Sequence, residues 1–237
     1  MKNVIIVGAT GATGKQLMQQ LLNDVTIENI YVVHYRPTQF KHLDKVTEII
    51  NDLANFDDLA IAVHSTVDTT MNTTMNSAMN SAAEIDCAYC CLGTTRKKAG
   101  SLAAFRQVDK DYIVNFGTWV ATHTKAQLHV ISAVGANAKS ASSYLQTKGE
   151  TEQLLRQLPL SALYLYQPTL LHGKRDEFRL IEAIAYYPLA IISLLPFTLL
   201  KQQKPIAIEQ LANAMYQLSQ QVTSGHHVIS SLEIQQY

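Results

Sequence analysis

Between Val4 and Leu17 the chain reads VIIVGATGATGKQL. An apolar run ends at Gly8, two more glycines follow at Gly11 and Gly14, and then Leu17, Met18, Leu21 and Leu22 fall on one helical stripe. The apolar run has the length and the lack of alternation of a buried parallel strand. The second run has the spacing of an amphipathic helix. A strand and a helix joined by three spaced glycines form a tight turn that few folds use. Gly8 is expected to permit the turn, Gly11 to let the backbone approach a ligand, and Gly14 to let the helix pack close to the strand. The helix N-terminus offers unpaired N–H groups and partial positive charge, which suits a pyrophosphate, and Ala12 is expected to bind the cofactor with the glycines. Thr10 and Thr13 offer hydroxyl contacts beside it. The alternative is a tight turn with no ligand, which has little use for three glycines.

The rest of the chain alternates in the same way. NIYVVHYR, LAIAVHS near residues 59 to 65, EIDCAYCCLG, QLHVISAVGA and SALYLYQPTLLHG read as strands. FRQVDKDYIVNFGTWVATHTK, containing Val108, Tyr112 and Asn115, and SYLQTKGETEQLLRQL read as helices. Between 66 and 83, Met71, Met75 and Met79 recur every four residues, which predicts a core-facing helix, with a functional methionine patch as the alternative. The alternation predicts an α/β chain: a Rossmann-like doubly wound parallel sheet with a small C-terminal substrate-side extension. We read 1–237 as one NAD(P)-binding domain, with residues 1–173 as the cofactor-binding core and 174–237 as substrate-side and C-terminal elements. Tyr186 to Leu200 is apolar but interrupted by Pro188 and Pro196, and is shorter than the roughly 20 residues of a membrane span. It is expected to cover a substrate cleft or form a subunit contact, with membrane-surface attachment as the alternative. IAIEQLANAMYQLSQQ predicts a helix with Ile208, Leu211, Ala212, Met215 and Leu218 inward, and His226 and His227 are expected to end a loop.

Composition removes several classes of function. Lys and Arg number 19 and Asp and Glu 19, so the net charge is zero, and neither nucleic acid nor an anionic membrane is an expected partner. Cys87, Cys90 and Cys91 lie together in one strand-like run and read as buried thiols; a metal site or disulfide would need further partners, and no metal is expected. The N-terminus enters a strand directly, without a charged leader or cleavage site, so a cytoplasmic location is expected.

The second strand bears on which dinucleotide binds. A carboxylate at its end would accept bonds from the adenosine ribose and select NAD. This strand ends VVHYRP, and Arg36 stands about 20 residues beyond the glycines, where a guanidinium suits a 2′-phosphate. NADP(H) is therefore preferred, with NAD(H) as the alternative and a solvated loop arginine as the reading without function. A second constellation follows the fifth strand. Ser132 ends that strand, and Tyr144 and Lys148 lie four apart on the next helix, sharing a face. An ordinary phenol titrates near 10, too high for easy proton exchange near neutrality, and a neighbouring ammonium lowers it. Lys148 would supply that charge and bond a nicotinamide ribose, while Ser132 would orient a carbonyl for Tyr144.

Together these residues resemble the short-chain dehydrogenase/reductases, and GATGATG is closer to the extended and atypical branches. CLGTTRKKAGS, FRQVDKDY and SAVGANAKSASSYLQTKGETEQLL resemble the Tat-interacting-protein-like oxidoreductases. The resemblance implies a catalytic set of Ser132, Tyr144 and Lys148. It also implies that Leu92, Gly93 and Thr94 lie beside the cofactor and that Asn115 shapes the site. QPT at Gln167 to Thr169 departs from the usual Arg-Pro pair, which leaves the nicotinamide-side contacts open. Arg96, Lys97 and Lys98 either attract a phosphate or form a solvated loop. Three functions stay open: an NADP(H)-dependent oxidoreductase of an apolar carbonyl/alcohol pair, a non-catalytic NADP(H) redox sensor, and an interaction protein using the Tyr186–Leu200 segment. Both monomer and homodimer fit the family.

Overall fold

A computed structural model describes residues 1–56, 84–173 and 204–237. In chain order the elements are β1 (Lys2–Val7), α1 (Ala12–Asn23), β2 (Ile27–His34), β3 (Val46–Ile50) and β4 (Ile85–Cys90). Two short helices follow, α2 (Arg96–Ala99) and α3 (Leu102–Arg106), then a π turn (Gln107–Asp111) that runs into α4 (Tyr112–His123). Next come β5 (Gln127–Ile131), α5 (Ser143–Leu155), β6 (Ala162–Gln167), β7 (Leu171–His172), β8 (Ile206–Ala207), α6 (Ile208–Ser219), β9 (Gly225–Ser230) and α7 (Ser231–Ile234). Seven strands make one parallel sheet in the order β3-β2-β1-β4-β5-β6-β9, as the alternation predicts, and β7 and β8 form a small second sheet.

Strand alternation sorts side chains into two cores. Val4 and Ile6 of β1 join Leu17, Met18 and Leu21 of α1 and Leu211 and Met215 of α6 on one face. Ile5 and Val7 join Ile113, Phe116 and Val120 of α4 and Leu155 of α5 on the other. Each such aliphatic side chain contributes about 1.5–3 kcal/mol by leaving water. The inward residues expected of the last long helix are all buried on α6. Thus residues 208–230 extend the parallel sheet and cover it beside α1.

Three expectations need correction or fall elsewhere. β3 at Val46–Ile50 did not stand out in sequence; it is an edge strand among the described residues, half-buried, with Glu48 at its centre. His226 and His227 lie within β9 rather than ending a loop, paired with Leu163 and Tyr164, and His227 stacks on Tyr164 at 4.6 Å. The strand expected at 59–65, the methionine stripe at Met71, Met75 and Met79, and the Tyr186–Leu200 segment lie outside the described residues.

Candidate functional site

Chain order reverses between β1 and β4, which run parallel as neighbours, and open sheets of this kind bind ligands where the order reverses. A cleft of about 380 Å³ opens there. Gly8, Thr10 and Gly11 from the β1–α1 turn and Lys15 from α1 form one wall, with His34 at the end of β2, Tyr35 and Arg36 just beyond it, and Leu92, Gly93 and Val108 opposite.

The glycines divide their work. Gly8 has φ +81°, and a Cβ there would lie 2.6 Å from the carbonyl carbon of Cys91 and 2.7 Å from its oxygen. The turn therefore rests against the backbone leaving β4. A Cβ on Gly14 would lie 2.2 Å from Gly8 O, so Gly14 lets α1 close onto the turn. Gly11 lines the cleft, but its own N–H donates to Gly8 O at 3.0 Å. Gly11 is also the N-cap of α1, and no side chain caps that helix. The amides left for a ligand are therefore those of the first turn, at Ala12, Thr13 and Gly14. The side chains of Ala12, Thr13 and Thr94 take no part in the cleft wall, and Thr13 is buried. An uncapped helix start, with Lys15 and Arg36 on the cleft walls, fits a dinucleotide diphosphate.

At the end of β2 the side chains hold one another. His34 Nδ1 lies 2.8 Å from Arg36 O, which can only accept, and 3.4 Å from Arg36 N. Its Nε2 is hydrogen-bonded to Thr10 Oγ1 at 3.1 Å. Tyr35 stacks on His34 with ring centres 4.9 Å apart, and Arg36 Cζ lies 4.9 Å from the Tyr35 ring centre. No carboxylate lines the cleft among the described residues. Arg96, Lys97 and Lys98 form the exposed α2 and stand outside the cleft wall, as a solvated loop would.

The second constellation lies behind Leu92 and Gly93. Lys148 on α5 is buried; its Nζ is 2.9 Å from Asp109 Oδ1 and donates to Ile131 O at 3.4 Å, next to Ser132. Asp109 Oδ2 accepts the Thr94 amide at 2.7 Å. Burial alone would lower the Lys148 ammonium, but the Asp109 carboxylate and the Tyr144 phenol outweigh it and hold it above its ordinary value. Tyr144 lies one turn before Lys148 on α5, its ring centre 6.0 Å from that of Phe105. Ser132 Oγ donates to Glu152 Oε1 at 2.5 Å, and Gln167 Nε2 donates to the same oxygen at 2.9 Å. Lys148, Tyr144 and Ser132 thus gather around α5 and the end of β5. Asn115 does not join them: its Nδ2 donates to Ala54 O at 2.7 Å, fixing the loop after β3.

Lys15, Asp109 and Glu152 escaped the sequence reading. Lys15 adjoins the glycine turn, and Glu152 lies four residues beyond Lys148, on the same helical face, so both were within reach of it. Asp109 was not, because the π turn offsets the helical spacing there. Cys87 and Cys90 are buried free thiols, as expected, but Cys91 is only half-buried and lines the cleft.

No profile of a known protein family matches the chain. Protein HTATIP2 of Rattus norvegicus is 29% identical over 186 residues, 78% of this chain and 69% of that protein. Protein FMP52, mitochondrial, of Coccidioides immitis is 28% identical over 185 residues, 78% of this chain and 72% of that one. Among solved structures, the oxidoreductase ylbE from Lactococcus lactis superposes with a TM-score of 0.61 at 16% identity, covering 96% of this chain and 89% of its own. The enzyme WbmG of Bordetella bronchiseptica in complex with NAD gives 0.62 at 14% identity, covering 99% of this chain and 75% of its own. Among the described residues no helix is long and apolar enough to cross a membrane. The mitochondrial name of the fungal relatives departs from the plain cytoplasmic location expected from sequence. In sequence the chain is similar to HTATIP2 and FMP52, and in fold it shares the Rossmann-like α/β architecture of these solved structures.

Proposed function

We propose that the chain binds a nicotinamide dinucleotide, NADP(H) in preference to NAD(H), and interconverts a carbonyl and an alcohol. The observation that carries this reading is the cleft at the β1/β4 switch, with an uncapped α1 start on one side and the Lys148 cluster behind the other. The amides of Ala12 and Thr13, with Lys15, would hold the diphosphate. Arg36, its guanidinium against Tyr35, would meet a 2′-phosphate, and the absence of a carboxylate from the described walls favours that choice. When bound, the nicotinamide supplies or accepts the hydride. Tyr144 gives the carbonyl oxygen its proton and takes it back in the reverse direction. The Lys148 ammonium favours the phenolate that remains. Ser132 fixes the substrate oxygen. The substrate is a small, apolar carbonyl or alcohol compound.

A second reading has its own support. Ser132 Oγ–H already donates to Glu152, and Asp109 offsets the charge of Lys148. A protein that binds the dinucleotide and reports its redox state, without turnover, would tolerate both arrangements. A screen of carbonyl compounds, followed by NADPH absorbance, separates the two. The oxidoreductase reading expects turnover of at least one compound and a loss of about 10²–10⁴-fold in Tyr144→Phe, the usual weight of a positioned proton donor. Coenzyme binding without turnover of any compound favours the sensor, and turnover unaffected by Tyr144→Phe rejects the proton route.

A further inference from the structure

Asp109 belongs to the FRQVDKDY motif and touches neither the cofactor nor the substrate in the chemistry set out above, acting there only on the charge of Lys148. Its side chain is 1% exposed and faces Lys148, whose side chain is 5% exposed. Burying such a pair is costly, and replacing it by apolar residues is often neutral or stabilising, so stability alone is a weak reason for it. The arrangement is specific. Oδ1 meets Lys148 Nζ on α5 at 2.9 Å, while Oδ2 accepts the Thr94 amide at 2.7 Å in the loop leaving β4. The backbone oxygen of Asp109 accepts from Thr151 Oγ1 at 3.0 Å, one turn further along α5. Its neighbour Val108 lines the cleft, and so does Gly93, whose missing Cβ would sit 3.6 Å from Asp109 Oδ1. The carboxylate therefore lies directly behind the cleft wall. A π turn carries it, and such turns occur often at functional sites. An ammonium has three donors, and among the described residues Asp109 and Ile131 O take two, in fixed directions.

We propose that Asp109 is a positioning residue for the coenzyme: it ties Lys148 and the Leu92–Thr94 loop into one unit, so that dinucleotide affinity depends on Asp109 through Lys148. The inference rests on the dinucleotide reading but not on catalysis, and it holds for an oxidoreductase and a sensor alike.

A double-mutant cycle on the full chain tests it, with affinities for NADPH and NADH read from coenzyme fluorescence and folding checked by circular dichroism. Asp109→Asn keeps an acceptor for Thr94 but loses the charge, and should weaken both coenzymes by about tenfold, the worth of one charge-assisted contact. In a Lys148→Met background the same change should cost less than about twofold, because the residue acts through Lys148. A single variant leaves a lone buried charge and risks misfolding, whereas Asp109→Asn/Lys148→Met is neutral. Should Asp109→Asn not fold alone, the double variant must still match Lys148→Met within about twofold; should Lys148→Met not fold, Lys148→Gln replaces it as the background under the same criterion. Asp109→Asn binding like wild type, or losing affinity by an unchanged factor with Lys148→Met present, overturns the proposal and leaves the function standing. Wild-type protein that binds neither coenzyme overturns both.

Discussion

Alanine at Gly8 offers a quantitative test of how the turn is built. Two penalties combine there. The first is conformational: φ is +81°, and an L side chain in the left-handed region costs about 1–2 kcal/mol. The second is steric: the new Cβ would meet the Cys91 carbonyl carbon at 2.6 Å, its oxygen at 2.7 Å and Leu92 N at 2.8 Å. All three are backbone atoms at the end of a strand paired on both sides, so none can rotate away. Overpacking of that kind costs about 1–3 kcal/mol, for a total of about 2–5 kcal/mol. In a domain of this size each kcal/mol lowers Tm by roughly 2–4 °C, so Gly8→Ala should lower it by about 4–20 °C. Gly225 isolates the first penalty: its φ is +85°, and nothing lies within 4 Å of where a Cβ would point. Gly225→Ala should therefore lose only about 1–2 kcal/mol. Thermal melts of the wild type and the two variants, followed by circular dichroism, give the comparison. If Gly8→Ala melts no lower than Gly225→Ala, the close approach of the turn to β4 is refuted.

Arg36→Ala should weaken NADPH binding by roughly tenfold or more while leaving NADH nearly unchanged, the loss of a guanidinium–phosphate contact; equal losses for both coenzymes would remove Arg36 from the 2′-phosphate. Burial pushes the Cys87 and Cys90 thiols up to about 12, so maleimide labelling at about pH 8 should proceed only as the protein unfolds. Rapid modification of either residue in the folded state would contradict that. His129 is buried against Tyr164, with Nδ1 and Tyr166 Oη 2.8 Å apart, and burial, followed by the nearby His227, pulls it down to about 3. The unfolded chain then binds the extra proton, so the contribution of His129 is complete above about 6.5 and is lost as pH falls from there toward 3. Nuclear magnetic resonance should find its ring neutral at about pH 5, and a charged ring there would contradict the burial argument.

The sequence made the centre of the fold legible and left its edges obscure, for a physical reason. β1, β4, β5 and β6 are buried on both faces and read as continuous apolar runs, and β2 ends in one. β3 is half-buried and β9 exposed along much of its length, and both owe their place to pairing with β2 and β6, contacts that no local pattern announces. The site divides in the same way. Gly8 and Gly14 were readable because only glycine fits where they sit. Tyr144 and Lys148 were readable because four residues make one helical turn. The partners that change their chemistry were harder to see. Asp109 reaches Lys148 from 39 positions away in sequence through a π turn, and Glu152 reaches Ser132 from another element. Asn115 shows the opposite failure: its helix was read correctly, but its side chain holds a loop.

The central claim is that the amides opening α1, with Lys15 and Arg36, grip the phosphates of a nicotinamide dinucleotide. Calorimetric titration of the wild-type protein with NADPH and, separately, NADH tests it most directly. The account predicts saturable one-to-one heat with both and tighter binding of NADPH. No heat and no thermal protection from either coenzyme, in protein whose circular dichroism shows the folded α/β chain, would contradict it.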